Sequence, residues 1–245
     1  MASLGDSVER RIDFVTDVET LAGPVRGRTV LDLGCGRHAL WTRAYVARGA
    51  RVVAVELDPV RCREARERLA TAPPAGDGRV LGIARGDGER LPLASACVDF
   101  IHCAQVLEHV RSPAAFLAEL RRVLVPGGHA YVTAINRFAF RDPHFGVVGV
   151  NYLPRRIADH VLAAVGATNP EGQALSAMHY FSRPGFRRLC ARHGLDMVVD
   201  LKRRERLARH GGVGGRLADA WGTAVRSAAF HVIVRRAETR PPSVR

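Results

Sequence analysis

The sequence predicts an α/β protein with a doubly wound, mostly parallel sheet of seven strands and helices on both faces. Three observations carry that expectation. Apolar strands alternate with helical segments through short links from residue 29 to residue 136. Those strands are near-continuous apolar runs, as in strands covered on both faces, rather than alternating ones. The first strand also runs directly into a glycine turn, "VLDLGCG", where such a sheet places its ligand site.

The elements follow in order. Val8, Ile12, Val15 and Leu21 recur at helical spacing, so residues 7–21 read as a helix ended by Gly23-Pro24. "TVLDLG" (29–34) is the first strand, 40–49 a helix closed by Gly49, and 51–57 the second strand. Pro59 at a first helical turn starts the helix 59–70, because its missing N–H has no intrahelical partner there anyway. "APPAGDG" is a loop, and 79–87 and 97–107 are the third and fourth strands. Ser112 and Pro113 cap and open a helix read as 112–128, with the fifth strand at 129–136. The alternation then breaks over 137–182, where aromatics, Pro, His and Gly collect around one helix at 154–165. It resumes with a helix at 183–194, a strand at 195–202 and a last strand at 230–236, separated by the "HGGVGG" turn and a helix within 203–229.

The chain reads as a single domain over 1–240: an N-terminal helix (1–22), a core of 24–136 and 183–236, and a flexible tail at 238–245. Composition limits its partners. Hydrophobic residues make up 47% and charged residues 25%, which suits a globular protein with a sizeable core. The formal charge of +13 invites nucleic acid, but Lys202 is the only lysine. Arginines spread along the chain are the mark of high-GC bacterial coding rather than of a binding face. A small-molecule substrate is favoured over nucleic acid. The five cysteines (Cys35, Cys62, Cys97, Cys103, Cys190) form no C-x-x-C pair, so neither a disulfide framework nor a metal site is expected. No run is long enough for a membrane span, and the start lacks the pattern of a secretion signal, so the expected location is the cytoplasm and the expected state a monomer or homodimer.

The glycine loop admits two cofactors. Gly34, Gly36 and Ala39 complete a G-x-G-x-x-A dinucleotide fingerprint, while Asp32, Gly34 and Gly36 begin a D-x-G-x-G loop whose next glycine is replaced by His38. Glu56, at the end of the second strand, suits either, because an acid about that far on can bind ribose hydroxyls. Asp32 separates them. A carboxylate at the loop mouth opposes a pyrophosphate but balances a cofactor bearing an ammonium and a sulfonium.

"VLDLGCG", "VVAVELDP", "GDGERLPLASACVDFIHCAQVLEHV" and "LRRVLVPGGHAYVTAIN", in that order, resemble the class I S-adenosylmethionine-dependent methyltransferases, within their small-molecule, ubiquinone-biosynthesis-like branch. The resemblance covers residues 28–136 strongly and the C-terminal strands weakly. It implies a Rossmann-like fold and S-adenosylmethionine as cofactor, leaving S-adenosylhomocysteine as product. It assigns Asp32, Gly34, Cys35 and Gly36 to the methionine end of the cofactor. Glu56 takes the ribose, with Leu57 beside adenine and Asp58 nearby. Asp87, flanked by Gly86 and Gly88, takes the adenine amino group, and Cys103 and Ala104 supply backbone contacts. His38 departs from the pattern and reads as a tolerated variation.

Methyl transfer to a hydroxyl needs a base, and His109, in "LEHV" after strand four, is the candidate. An orienting role for it weighs as heavily. The resemblance also implies a substrate lid inserted after strand five, at 137–182. Asn136, His144, Tyr152, His179 and Tyr180 are the candidate substrate contacts, and Phe138, Phe140, Phe145 and Phe181 the lid packing. The expected activity is methylation of a small acceptor, most simply at oxygen, in secondary-metabolite, glycan or quinone-type biosynthesis. N-methylation, a nucleic-acid methyltransferase, an NAD enzyme and a non-catalytic cofactor-binding module are the competing readings. Neither an N-P-P-Y-type motif nor a P-C cysteine pair supports the nucleic-acid reading.

Overall fold

A computed structural model describes residues 4–71, 76–201 and 228–238. The helices are α1 (Leu4–Ala22), α2 (Leu40–Ala47), α3 (Pro59–Ala70), α4 (Pro113–Val123), α5 (Arg155–Ala164) and α6 (Arg183–Arg192). The strands are β1 (Thr29–Leu33), β2 (Arg51–Glu56), β3 (Arg79–Arg85), β4 (Val98–Cys103), β5 (Leu124–Ile135), β6 (Leu195–Asp200) and β7 (Ala229–Arg236).

The seven strands form one sheet in the order β3-β2-β1-β4-β5-β7-β6. All neighbours are parallel up to β5. β7 then runs antiparallel to both β5 and β6. From β1 the chain winds outward to β3, then crosses back to β4 and winds the other way. The carboxyl ends of β1 and β4 therefore flank a switch point, where a doubly wound sheet leaves a crevice.

Consecutive residues of one strand feed opposite faces. Val30 of β1 packs with Val15, Val18, Ala44 and Tyr45 beneath α1 and α2. Leu31 and Leu33 pack with Phe116, Leu117, Leu120 and Phe186 beneath α4 and α6. Both faces are thus dry, which is why the strands read as unbroken apolar runs. Asp58, Ser112 and Ser182 each cap a helix by accepting a hydrogen bond from the N–H three residues on, with proline opening the first turn of each.

The largest boundary differences from the sequence reading lie around β4 and β5. The helix expected to reach residue 128 stops at Val123, and the fifth strand begins at Leu124 instead of 129. Pro126 disfavours helical backbone at the residue before it, and Leu124 pairs with Val98 across the sheet. The fourth strand ends at Cys103 rather than 107, because Gln105 adopts a left-handed backbone, φ 56°, that no ladder accommodates. The glycine-rich turn, the helix expected within 203–229 and the tail fall almost wholly on 202–227 and 239–245, outside the described residues.

Candidate cofactor cavity and adjoining histidine cluster

A cavity of about 850 Å³ opens at the switch point. Its floor is the loop after β1, with Gly34 and Gly36, and its sides are the ends of β2 and β3, with Glu56, Leu57, Gly86, Asp87 and Gly88. Gln105, Val106, His109 and Arg111 follow β4 around the rim, and Pro170, Glu171 and Gln173 reach over from the 137–182 segment. The volume is in the range of small-molecule sites.

The loop has its shape for local reasons. Gly34 (φ 78°) and Gly36 (φ 62°) occupy the left-handed region that a side chain disfavours. Gly34 also lies so close to β4's loop that a Cβ there would sit 2.4 Å from Val106 Cγ2. A Cβ on Gly36 would meet nothing within 4 Å, so backbone alone lines the cavity at that point. Ala39 follows at φ 44°, buried, where the chain enters α2.

Glu56 holds this loop in place. Its Oε2 accepts from the Gly36 N–H at 2.9 Å and its Oε1 from the Asp58 N–H at 3.0 Å. Each carboxylate oxygen has lone pairs to spare, so the same group can also receive ribose hydroxyls. Leu57 is 59% exposed and lines the cavity, an apolar surface beside that carboxylate. Asp87 Oδ1 accepts from the Glu89 N–H at 2.9 Å, and its Oδ2 lies 2.6 Å from the Arg111 guanidinium. Five carboxylates (Glu56, Asp58, Asp87, Glu89, Glu171) and three arginines (Arg61, Arg85, Arg111) edge the space, so a strongly basic chain presents an acidic cavity.

Other expected contacts lie behind the wall. Asp32 is 1% exposed and accepts from Thr42 Oγ1 at 2.6 Å. Burial raises its carboxyl to about 6, against the hydrogen bond from Thr42. It therefore braces β1 against α2 and does not face the cavity. Cys35 and Cys103 are buried, and burial raises both thiols. Neither they nor Ala104 lines the space, whereas Gln105, the next residue, does. His38 pairs with Arg68 of α3 and lies off the lining altogether.

The substrate candidates also sit outside the cavity. Asn136 is fully buried and accepts from the Phe138 N–H, turning the chain out of β5. Tyr152 is 51% exposed and donates to the Phe138 carbonyl. The His179 N–H donates to the Glu108 carbonyl at 2.9 Å. Phe138 and Phe140 are exposed, Phe145 packs beside α5 and Phe181 against Phe186. His144 and Tyr180 instead gather beside His109. His109 Nδ1 lies 2.7 Å from Gln173 Oε1, and His144 Nδ1 lies 3.1 Å from the Tyr180 hydroxyl. The two rings stand 5.4 Å apart and nearly perpendicular, with buried Glu108 between their Nε2 atoms. Burial raises the Glu108 carboxyl and lowers the His144 imidazole.

Sequence reasoning passed over Gln105, Arg111, Glu171 and Gln173. Gln105 lies within a segment already singled out and Arg111 just after it, but their residue types carried no distinct chemistry. Glu171 and Gln173 come to the rim only through the tertiary path of the 137–182 segment.

A methyltransferase-domain family matches residues 31–132, the stretch that runs from within β1 through the glycine loop, β2, β3 and β4 to most of β5. Over that stretch, under half of its length, the chain is similar to the methyltransferase domain. Among curated relatives it is 36% identical over 147 residues to a ubiquinone biosynthesis O-methyltransferase of Xylella fastidiosa, covering 59% of this chain and 55% of that one. A mitochondrial ubiquinone biosynthesis O-methyltransferase of Schizosaccharomyces pombe is 31% identical over 156 residues, covering 63% and 52%. The chain thus spans about half the length of these relatives. Among solved structures, S-adenosylmethionine-dependent methyltransferases from Mesorhizobium loti and Methanosarcina mazei superpose with TM-scores of 0.59 and 0.61. They share 18% and 17% identity, cover 90% and 87% of this chain and 96% and 94% of their own, and testify to the methyltransferase fold.

Proposed function

We propose that this chain transfers a methyl group from S-adenosylmethionine to a small-molecule acceptor at a hydroxyl oxygen. The observation that carries the reading is the cavity itself: a glycine-backed trough at the switch point, edged by more carboxylates than arginines. Such a trough suits an adenosine joined to a cationic, zwitterionic tail and opposes a pyrophosphate. In the proposed pose Glu56 receives the ribose hydroxyls, Leu57 covers a face of adenine and Asp87 receives its amino group. Gly34 and Gly36 allow close backbone approach, and Gln105 flanks the methionine end in place of Cys103 and Ala104. Asp32 acts at one remove, by fixing β1 against α2.

When bound, the cofactor supplies a methyl carbon on a sulfonium leaving group. The chain's share is proximity and alignment, which can supply roughly 7–11 kcal/mol of the barrier in favourable cases. The acceptor's proton must also leave. His109 reaches the cavity, but its Nδ1 is engaged by Gln173 and its Nε2 faces Glu108, so an orienting role fits this geometry better than a base role. Oxygen as the acceptor atom is supported by the names of the curated relatives, ubiquinone biosynthesis O-methyltransferases.

The test is thermal: S-adenosylhomocysteine raises the melting temperature and NAD does not. The reverse pattern overturns the reading. Turnover of phenolic, catecholic or sugar hydroxyl acceptors, against amines and RNA, then fixes the acceptor class.

A further inference from the structure

Behind the cavity rim lies a cluster that cofactor binding leaves unexplained. Glu108 is fully buried, and neither of its carboxylate oxygens has a hydrogen-bond partner among the described residues. A buried carboxylate in that state costs several kcal/mol unless it is neutralised or coordinated. Its Oε1 faces two imidazole nitrogens, His144 Nε2 at 3.7 Å and His109 Nε2 at 4.0 Å. These separations are too long for hydrogen bonds. One ligand atom from each of the three side chains falls within 4.8 Å of the others.

We propose that Glu108, His109 and His144 form a binding site for a divalent transition-metal ion that ties the 137–182 segment to the loop after β4. The far nitrogens support it. His109 Nδ1 contacts the Gln173 side-chain oxygen and so carries the proton, which leaves Nε2 as a lone pair. The Tyr180 hydroxyl, 3.1 Å from His144 Nδ1, can accept from that nitrogen, and in that tautomer Nε2 presents its lone pair toward Glu108. Metal-bound histidines use this arrangement, in which an outer partner fixes tautomer and ring direction. Two imidazoles and one carboxylate suit Zn²⁺, Fe²⁺, Co²⁺ or Ni²⁺, whereas Mg²⁺ and Ca²⁺ prefer oxygen ligands. A tetrahedral ion with bonds of about 2.0–2.1 Å sets its ligands roughly 3.3 Å apart, a closure within reach of small side-chain rotations.

The connection made is long in sequence. His144 and Tyr180 come from the segment after β5, as does Gln173, while Glu108 and His109 follow β4. Bound metal would hold Gln173 and its neighbours over the cavity. The site does not depend on methyl transfer, so the two readings can fail separately.

The experiment uses the full chain, stripped with chelator and titrated with Zn²⁺ and Co²⁺ at neutral pH. Expected are one equivalent of Zn²⁺ by calorimetry and metal analysis, a raised melting temperature and visible Co²⁺ absorption of a low-coordinate site. Glu108→Gln and His144→Ala should each weaken Zn²⁺ binding by at least about tenfold. His38→Ala, outside the cluster, should leave it unchanged. Absence of stoichiometric Zn²⁺ binding overturns the proposal, as does unchanged affinity in both cluster variants. If Glu108→Gln stabilises the metal-free chain and wild type binds no Zn²⁺, the group is a plain buried acid. Should a variant fail to fold, the wild-type Co²⁺ spectrum decides alone. Binding of S-adenosylhomocysteine, measured on the same samples, reports separately on the cofactor cavity.

Discussion

The Glu56 carboxylate accepts a hydrogen bond from the Gly36 N–H at 2.9 Å, so the acid that closes β2 also holds the loop that follows β1. Removing it should therefore cost stability and ligand affinity together. Glu56→Ala removes the acceptor of the Gly36 and Asp58 amides, two part-buried hydrogen bonds worth about 0.5–1.5 kcal/mol each. We expect a lower melting temperature and S-adenosylhomocysteine affinity reduced by at least about tenfold, the latter the equivalent of about 1.4 kcal/mol. Unchanged affinity by calorimetry would remove Glu56 from the site.

The two loop glycines should respond differently to a methyl group. Gly34→Ala combines a positive φ with a Cβ 2.4 Å from Val106 Cγ2, whereas Gly36→Ala carries the positive φ alone. The backbone cost is roughly 1–2 kcal/mol in each case. Only Gly34→Ala adds a clash, so it should unfold at lower denaturant than Gly36→Ala. Adding Val106→Ala should recover part of the difference. Equal midpoints for the two single variants would contradict the packing.

Much of the frame was legible because it rests on short-range rules. Pro59 and Pro113 marked their helix starts to the residue, since a proline at the first turn needs no local partner. The apolar strands announced a sheet covered on both faces. Side-chain direction was not legible. Asp32 reads as a cavity carboxylate in sequence, yet β1 turns it to Thr42, and strand parity alone cannot say which face meets the ligand. The meeting of Gln173 with His109 joins residues that no spacing rule relates, so it had to await the fold.

His38 is the loop's departure from the family pattern, and its place off the cavity predicts little effect on the ligand. It pairs with Arg68 on an exposed surface. His38→Gly should leave S-adenosylhomocysteine affinity within about twofold, because a surface pair of this kind contributes under about 1 kcal/mol. A loss of tenfold or more would return His38 to the site.

Asp32 should give stability a pH slope. Its folded carboxyl is raised to about 6 from 3.8. A raised folded value means that the folded chain holds this proton more tightly than the unfolded chain. The contribution is therefore full below about 4, falls as pH rises through about 6, and is absent above, at about 1.4 kcal/mol per pH unit across the window. Asp32→Asn, which cannot ionise, should flatten that part of the stability curve between pH 4 and 6. Denaturation midpoints at half-unit steps check it, and identical slopes in wild type and variant would refute it.

Arg111 and Asp87 set the last test, because their contact competes with the proposed ligand. Arg111 Nη2 lies 2.6 Å from Asp87 Oδ2, the oxygen left over after Oδ1 accepts the Glu89 N–H. The arginine side chain is 79% exposed, so solvent screens the pair and its loss should barely move the melting temperature. Its effect on binding has a definite sign. If Asp87 receives the adenine amino group, Arg111→Ala frees the acceptor and tightens adenosine-containing ligands, while Asp87→Asn weakens them. If Asp87 only shapes the turn, both substitutions leave affinity alike. Calorimetry with S-adenosylhomocysteine on the two variants separates these cases, and weaker binding in Arg111→Ala would instead make the guanidinium a contact of the ligand itself.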